Sequence, residues 1–213
     1  MDQALFHLIN EQWTHPALDL FMAAISDVEI WKPFLIGIGI FILVFMGFKG
    51  RAFLICLLLA LAFADYFLVS TLKSAIDRRR PKQVQKVRMV QLERADPDFL
   101  KIFKQPVIRY SDESDRTKSG PSFPSGHVTD NVIIGTICAL FFRRWGWLYF
   151  LFAAAVGYSR IYLGAHWPSD VVATAFMGTG VALLFIALAE FVWKRWGARL
   201  APQVFARHPR LIA

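Results

Sequence analysis

Apolar residues are gathered into five runs along the chain. The runs cover residues 33–48, 52–72, 128–142, 147–159 and 171–192. A helix that crosses a bilayer needs about 20 apolar residues, with roughly 17–25 tolerated, so the run 147–159 is short for this purpose. Basic residues and Trp flank several runs, as is typical of spanning helices. The pattern predicts an all-α, polytopic integral membrane helix bundle with about five spanning helices.

The first 31 residues show a weaker pattern, in which apolar residues recur at helical spacing. Leu5, Leu8 and Ile9 form one such set, a second set lies within 18–25, and Pro16 suits a helix start. We predict two amphipathic helices that lie on the membrane surface within residues 1–31. A sixth spanning helix through residues 17–31 is the alternative. The opening residues have no basic flank and do not resemble a signal peptide.

Composition supports a membrane protein. Of the 213 residues, 56% are hydrophobic, against roughly 45–50% in soluble domains. Cys56 and Cys138 both lie inside apolar runs, which argues against a disulfide framework. We predict a single domain over residues 1–213. Its parts are interfacial helices (1–31), a first helical hairpin (33–72), an extramembrane loop (73–127), the last three spans (128–193) and a basic tail (194–213).

The net charge of +8 indicates anionic partners. On a membrane protein, this charge favours anionic lipid headgroups or anionic substrates over nucleic acid, so no nucleic-acid partner is expected. The sequence does not determine the oligomeric state.

Three polar stretches interrupt the apolar pattern and carry the candidate chemistry. They are "KSAIDRRRP" from Lys73, "PSFPSGHV" from Pro121 and "GYSRIYLGAHWPSDVV" from Gly157. A loop separates the first two, and one helical hairpin separates the second from the third. All three therefore emerge on the same side of the membrane if the last four runs cross it. This places the following ionisable residues at one membrane face: Lys73, Arg80, His127, Arg160, His166 and Asp170.

This set suits the binding of a phosphate and its transfer to a histidine. Arg and Lys bind phosphate oxygens, and the start of a helix after Ser125 and Gly126 offers free backbone N–H groups. If a helix begins near Trp167, Asp170 lies one turn beyond His166 and can orient its ring for nucleophilic attack. His127 can protonate the leaving oxygen and then activate water. This set of residues predicts covalent phosphoryl transfer without a metal.

The three stretches together resemble the signature of the type 2 phosphatidic acid phosphatase superfamily. The matching patterns are Lys73-x6-Arg80-Pro81, Pro124-Ser125-Gly126-His127 and Ser159-Arg160-x5-His166-x3-Asp170. The resemblance implies that His166 is the nucleophile, that Asp170 orients it and that His127 is the general acid and base. It implies the following phosphate ligands: Lys73, Arg80, Ser125, Gly126 and Arg160. It also implies that no metal or cofactor is needed.

Several alternatives remain open at this stage. Undecaprenyl diphosphate is the first choice of substrate, and phosphatidic acid, phosphatidylglycerol phosphate and lipid A phosphate are the others. A lipid phosphotransferase would pass the phosphate to an acceptor other than water, and an anionic-lipid transporter would use the same cations only for binding. Asp65 and Asp130 are candidate supporting residues, because an acid within a span is expensive. Arg78 and Arg79 are expected to be surface or headgroup-facing charges.

Location is predicted from short basic clusters near residues 49–51, 143–144 and 194–199, which fall on the side opposite the three stretches. The positive-inside rule then places the site outside the bacterial cytoplasmic membrane, facing the periplasm or the exterior. The thirteen Lys and Arg of residues 73–127, against seven acids, argue the other way.

Within that loop, "DPDFLKIF" predicts a short helix capped by Asp96 or Asp98, either as a roof over the phosphate site or as part of a solvated linker.

Overall fold

The first helices of the chain dock on the rest of the protein. A computed structural model describes residues 1–212, apart from the side chain of Lys118. Helix α1 (Asp2–His7) runs into a π-helical turn (Leu8–Gln12), and α2 (Pro16–Ser26) follows. Helix α2 starts at Pro16 as predicted, but it ends before Asp27, so residues 17–31 are not one continuous helix. This break at Asp27 argues against the alternative of a single spanning helix through residues 17–31.

The next helices supply the apolar surface of the bundle. Helix α3 (Val28–Phe45) begins five residues before the predicted run, because the side chain of Asp27 caps it by accepting from the backbone N–H of Glu29 at 3.1 Å. Helix α4 (Gly47–Phe63) continues through a π-helical turn (Ala64–Val69) into α5 (Ser70–Ile76). Asp77 ends α5 in the left-handed conformation, with φ of 42°. Only 6% of the apolar window of α3 is buried, as expected for a lipid-facing helix.

The segment predicted as a long loop has regular structure. After α6 (Pro81–Val84), strand β1 (Arg88–Leu92) pairs antiparallel with β2 (Pro106–Tyr110), with Arg88 opposite Tyr110. A 3-10 helix (Asp98–Phe103) lies between the strands, and α7 (Glu113–Lys118) follows them. The predicted short helix is thus present, but neither Asp96 nor Asp98 caps it: its N-cap is Pro97, with no side-chain cap.

The last helices form the centre of the bundle. Helix α8 (Gly126–Phe141) is followed by a 3-10 turn (Gly146–Leu148), α9 (Tyr149–Tyr162), α10 (Pro168–Leu200) and α11 (Pro202–Arg207). Helix α10 replaces the predicted span 171–192 and takes in the first part of the predicted tail. In the described residues, α3, the segment from Gly47 and α10 are long and apolar enough to cross a membrane. Helices α8 and α9 are shorter, with 16 and 14 residues.

Helix α8 packs against α4, α9 and α10. Its side chains Ile133, Ile137 and Phe141 are buried in a core shared with Phe53 of α4 and Ala182 of α10. Close approach depends on small residues: a Cβ at Gly178 of α10 would lie only 3.2 Å from the backbone oxygen of Thr129. Such contacts are the usual means of helix packing in membranes. They fix the start of α8 beside the start of α10.

A buried polar network joins the N-terminal region to the β1–β2 hairpin (residues 88–110) and to α9. The side-chain amide of Asn10 donates to the backbone oxygens of Arg88, at 2.9 Å, and Tyr162, at 2.7 Å. Asp19 accepts from the Arg88 guanidinium and the Tyr162 hydroxyl, both at 2.6 Å. Phe6 packs on Trp167 with ring centroids 5.2 Å apart. The prediction that residues 1–31 only lie on the membrane surface is therefore incomplete, because their polar side chains are buried against the bundle.

Candidate active site

The ends of five helices bring the predicted residues together. Lys73 lies in α5, Arg80 precedes α6, His127 is in the first turn of α8, and Arg160 is in the last turn of α9. His166 occupies the connection between α9 and α10, and Asp170 lies in the first turn of α10. The charges of Arg80 and Arg160 act on both histidines, and the charge of Lys73 acts on His127. The cationic and imidazole side chains thus form one cluster.

His166 is held as a neutral imidazole. Only 3% of the residue is exposed. Burial lowers the pKa of His166 well below its ordinary value near 6.5, and the neighbouring charges of Arg80 and Arg160 lower it further. A ring that stays neutral at physiological pH keeps a lone pair on one nitrogen, which is the state needed in a nucleophile.

The predicted contact between His166 and Asp170 runs through a third residue, Ser122. The Ser122 hydroxyl donates to Asp170 Oδ2 at 2.5 Å and lies 3.5 Å from His166 Nδ1. The expectation of a direct carboxylate–imidazole bond is therefore corrected. The reason is that Asp170 Oδ2 also accepts from the backbone N–H of Trp167 at 3.0 Å, which turns the carboxylate towards the end of its own helix.

The bonds of Ser122 indicate which His166 nitrogen is free. A hydroxyl has one hydrogen, and Ser122 directs it to the carboxylate of Asp170. The oxygen of Ser122 can then accept from Nδ1–H of His166. This arrangement assigns the proton of the neutral ring to Nδ1 and leaves the Nε2 lone pair for attack.

Arg78 is a site residue that the sequence analysis placed on the surface. Its guanidinium donates to Asp170 Oδ1 and to Asp2 Oδ2, both at 2.6 Å, and to Ser169 Oγ at 2.9 Å. Asp2 also accepts from the backbone N–H of Ser169 at 2.9 Å. The N-terminal helix is thereby fixed to the same end of α10 as Asp170. The run of three arginines before Pro81 is visible in the sequence, but the sequence does not show which of the three contacts Asp170.

Two of the predicted phosphate ligands have buried polar atoms without a protein partner in the described part of the chain. They are the hydroxyl of Ser125 and the Nε of Arg160, while Nη1 of Arg160 donates to Ser26 Oγ. Buried polar atoms are nearly always hydrogen-bonded, so an unpartnered pair of donors points to an absent acceptor. Gly126 and His127 begin α8 next to them, where helix N–H groups are free to bind an anion.

Arg80 is positioned by backbone oxygens that precede α8. Its Nε donates to the oxygens of Gly120, at 2.9 Å, and Pro121, at 3.3 Å. The side-chain amide of Gln83 similarly donates to the oxygen of Ser119 at 2.5 Å. Hydrogen bonds therefore join the stretch that begins at Lys73 to the residues around Pro121, where the second stretch begins. This set of donors fits a tetrahedral anion placed between Arg80, Arg160 and the start of α8.

The two intramembrane acids lie on the other side of His127. Asp65 and Asp130 line a cavity of about 510 Å³ that His127 also lines. They are thus placed near the site, in the wall of an apolar cavity.

The sequence of the chain is similar to those of known proteins. The model of the PAP2 superfamily matches residues 53–195. A lipid A 4'-phosphatase from Bacteroides thetaiotaomicron is 30% identical over 179 residues, which cover 82% of this chain and 71% of the relative. An undecaprenyl-diphosphatase from Sulfolobus acidocaldarius is 36% identical over 69 residues, which cover 32% of this chain and 33% of the relative.

The fold is also shared with a solved structure. The crystal structure of LpxE from Aquifex aeolicus aligns with a TM-score of 0.59 at 24% sequence identity. The alignment covers 87% of this chain and 94% of that one. This likeness supports the helical membrane architecture.

Proposed function

The chain belongs to the PAP2 superfamily, and from this premise we propose that it is a membrane lipid phosphatase that works through a phosphohistidine on His166. The substrate is a lipid phosphate or diphosphate, presented at the membrane–water boundary. The observation that carries the proposal is a neutral, buried imidazole beside two guanidinium groups and two unpartnered buried donors.

In the first step, Nε2 of His166 attacks the phosphorus. The N–P bond forms as the P–O bond to the lipid breaks. His127, which takes up a proton when the bound phosphate anion offsets the charges of Arg80 and Arg160, gives that proton to the leaving oxygen. The positive charge that develops on His166 is balanced through Nδ1–H, Ser122 and Asp170. Arg80, Arg160 and the start of α8 hold the phosphate oxygens, which carry the charge of the transition state.

In the second step, water takes the place of the lipid oxygen. His127, now neutral, removes a proton from the water as its oxygen attacks the phosphorus. The N–P bond breaks, phosphate leaves, and both histidines return to their starting states. No step requires a metal, and metal independence remains a prediction.

Two lipid classes are the leading candidates for the substrate. Undecaprenyl diphosphate is the first choice from the sequence, and the Sulfolobus acidocaldarius relative bears that activity in its name. A phosphorylated glycolipid is favoured by the Bacteroides thetaiotaomicron relative, because its match extends over most of the chain.

The test is phosphate release by the purified full-length protein from a panel of lipid phosphates in the presence of EDTA. Wild-type activity should persist, and His166→Ala should lower it at least about 10³-fold. His7→Ala is the matched control, because His7 is exposed and pairs with Glu11 in the π-helical turn that follows α1. Activity that EDTA abolishes and Mg²⁺ restores would refute the mechanism.

The same preparation separates the phosphatase from its alternatives. Labelled substrate should give an acid-labile phosphoenzyme in wild type and none in His166→Ala. A phosphotransferase would release free phosphate only slowly and accelerate when an acceptor lipid is added. A transporter would move lipid without releasing phosphate.

A further inference from the structure

The cavity beside His127 is apolar over most of its wall. The lining comes from α3 (Val28, Trp31, Leu35), from Leu61 of α4, and from Phe152 and Val156 of α9. Leu35 is 48% exposed and Val28 is 52% exposed, so the cavity reaches the lipid-facing surface of the bundle. Because His127 lines the same space, the cavity continues from the phosphate site towards the bilayer.

One part of this wall is polar. Asn131 uses its amide within the protein: Nδ2 donates to the backbone oxygen of His127 at 2.8 Å, and Oδ1 accepts from the Tyr149 hydroxyl at 2.9 Å. Asp130 differs, because its Oδ1 is buried and has no partner in the described part of the chain. A carboxyl oxygen that carries no hydrogen is an acceptor, and no donor in the described part of the chain reaches this Oδ1 in the cavity wall.

Asp130 lies close to His127. It follows His127 by three residues on α8, so it is about 4.5 Å deeper along the helix and on a neighbouring part of the same face. A lipid phosphate bound at Arg80 and Arg160 would therefore place the first few atoms beyond its phosphate against Asp130. An unpartnered acceptor in an apolar wall is selective for a ligand that brings a hydrogen-bond donor to it.

We propose that this cavity binds the part of the lipid next to the phosphate, and that Asp130 selects lipids with a hydroxyl or amide N–H at that place. This inference rests on the proposed function and narrows its substrate class. Lipid phosphates with amide-linked or hydroxylated chains satisfy Oδ1 of Asp130. A polyprenyl diphosphate places its second phosphate there, whose ionised oxygens only accept hydrogen bonds, and so leaves Oδ1 of Asp130 unpaired.

The experiment compares two lipids that differ in this donor. Ceramide 1-phosphate carries an amide N–H and a hydroxyl near its phosphate, and a dialkylglycerol phosphate of equal chain length carries neither. In mixed micelles, wild type should show at least a tenfold higher kcat/KM for ceramide 1-phosphate. Equal turnover, or preference for the dialkylglycerol phosphate, would overturn the inference, and this comparison needs no variant.

Variants then test whether Asp130 causes the preference for ceramide 1-phosphate. Asp130→Leu should lower kcat/KM at least tenfold for ceramide 1-phosphate and less than threefold for the dialkylglycerol phosphate. Glu190→Leu removes an acid from α10, outside the cavity lining, and should keep the wild-type preference. An equal loss on both lipids in Asp130→Leu would show a structural role and reject the selection.

Failure of this inference and failure of the proposed function are distinguishable. If wild type releases phosphate from both lipids without preference, the phosphatase stands and the selection by Asp130 is rejected. If wild type releases phosphate from no lipid in the panel, the proposed function itself fails.

Discussion

At the scale of single residues, the protonation state of His166 decides the pH range of the enzyme. The folded-state pKa of His166 lies well below 6.5, because burial and the charges of Arg80 and Arg160 disfavour the imidazolium. The ring of the free enzyme therefore stays neutral as the pH falls from 8 through 6.5. We expect no loss of kcat/KM that is centred near 6.5 and independent of the substrate.

Profiles for two substrates check this expectation. The second pKa of a phosphate monoester is about 6, and aryl phosphates ionise at lower pH than alkyl phosphates. Any acidic limb of kcat/KM should move with the substrate. A limb that stays at 6.5 for both substrates would show that a histidine with an ordinary pKa controls the reaction.

Ser122 is expected to act as a positioning residue. In Ser122→Ala, His166 Nδ1 loses its link to Asp170, and the lost charge-assisted bond should lower kcat by about 10–100-fold with a smaller change in KM. Ser122→Thr, which keeps a hydroxyl, should recover part of the loss. Ser119→Ala is the control, because the Ser119 hydroxyl donates to the backbone oxygen of Asp115 in α7, at 2.6 Å. A KM-only effect in Ser122→Ala would contradict the assignment.

The sequence predicted which ionisable residues meet, because their spacing relative to the apolar runs places them on one side of the membrane. It could not show the partners that cross long separations. Asp2 and Ser169 are 167 residues apart, and Arg78 and Asp170 are 92 apart. Nothing local distinguishes Arg78 from Arg79, or marks the Ser122 hydroxyl as the link to His166.

At the scale of elements, the β1–β2 hairpin is the part of the fold that the local sequence pattern failed to predict. Its strands have five residues each, and thirteen residues separate them, so neither a tight turn nor a long alternation signals the pairing. The 3-10 helix between the strands packs on α2 and α3, with Lys101 Nζ 3.4 Å from Asp27 Oδ2. The apolar runs predicted the long helices well because lipid imposes a length and a composition on them.

Replacing residues 93–105 with a two-residue Asn-Gly turn tests what this element does. Strand pairing is kept, so activity on a small soluble phosphate should change less than about threefold. The contacts of the 3-10 helix with α3, whose Val28 and Trp31 line the cavity, are lost. The ratio of kcat/KM values between lipid phosphates should therefore change by fivefold or more. An unchanged ratio would make the segment a linker without influence on the site.

At the scale of the whole molecule, the helices have a consistent direction. Helices α8 and α10 start at the phosphate site, whereas α4 starts at the opposite end, beside Lys49 and Arg51. Arg143 and Arg144 follow α8 at that same end. Trp145 and Trp147, both exposed, lie next to them, as expected at a membrane interface.

Nearby acids offset much of the positive charge of residues 73–127. Among the described residues, five cations are paired with acids: Arg78 with Asp2 and Asp170, Arg88 with Asp19, Lys101 with Asp27 and Asp98, Arg109 with Asp115, and Arg116 with Glu113. Lys73 and Arg80 are predicted to bind the phosphate. The count of basic residues in 73–127 therefore overstates the charge that would oppose transfer across the membrane, and the short basic clusters should decide the orientation.

Cysteine labelling in spheroplasts of a bacterial host tests this orientation. In a background with Cys56→Ala and Cys138→Ala, a single cysteine is placed either at Lys104, beyond the 3-10 helix, or at Arg144, after α8. With the active site outside, a membrane-impermeant maleimide should label Lys104→Cys in intact spheroplasts. Arg144→Cys should react only after lysis, because the clusters at its end of the bundle face the cytoplasm. The reverse pattern would place the phosphate site inside the cell and require a substrate held in the inner leaflet.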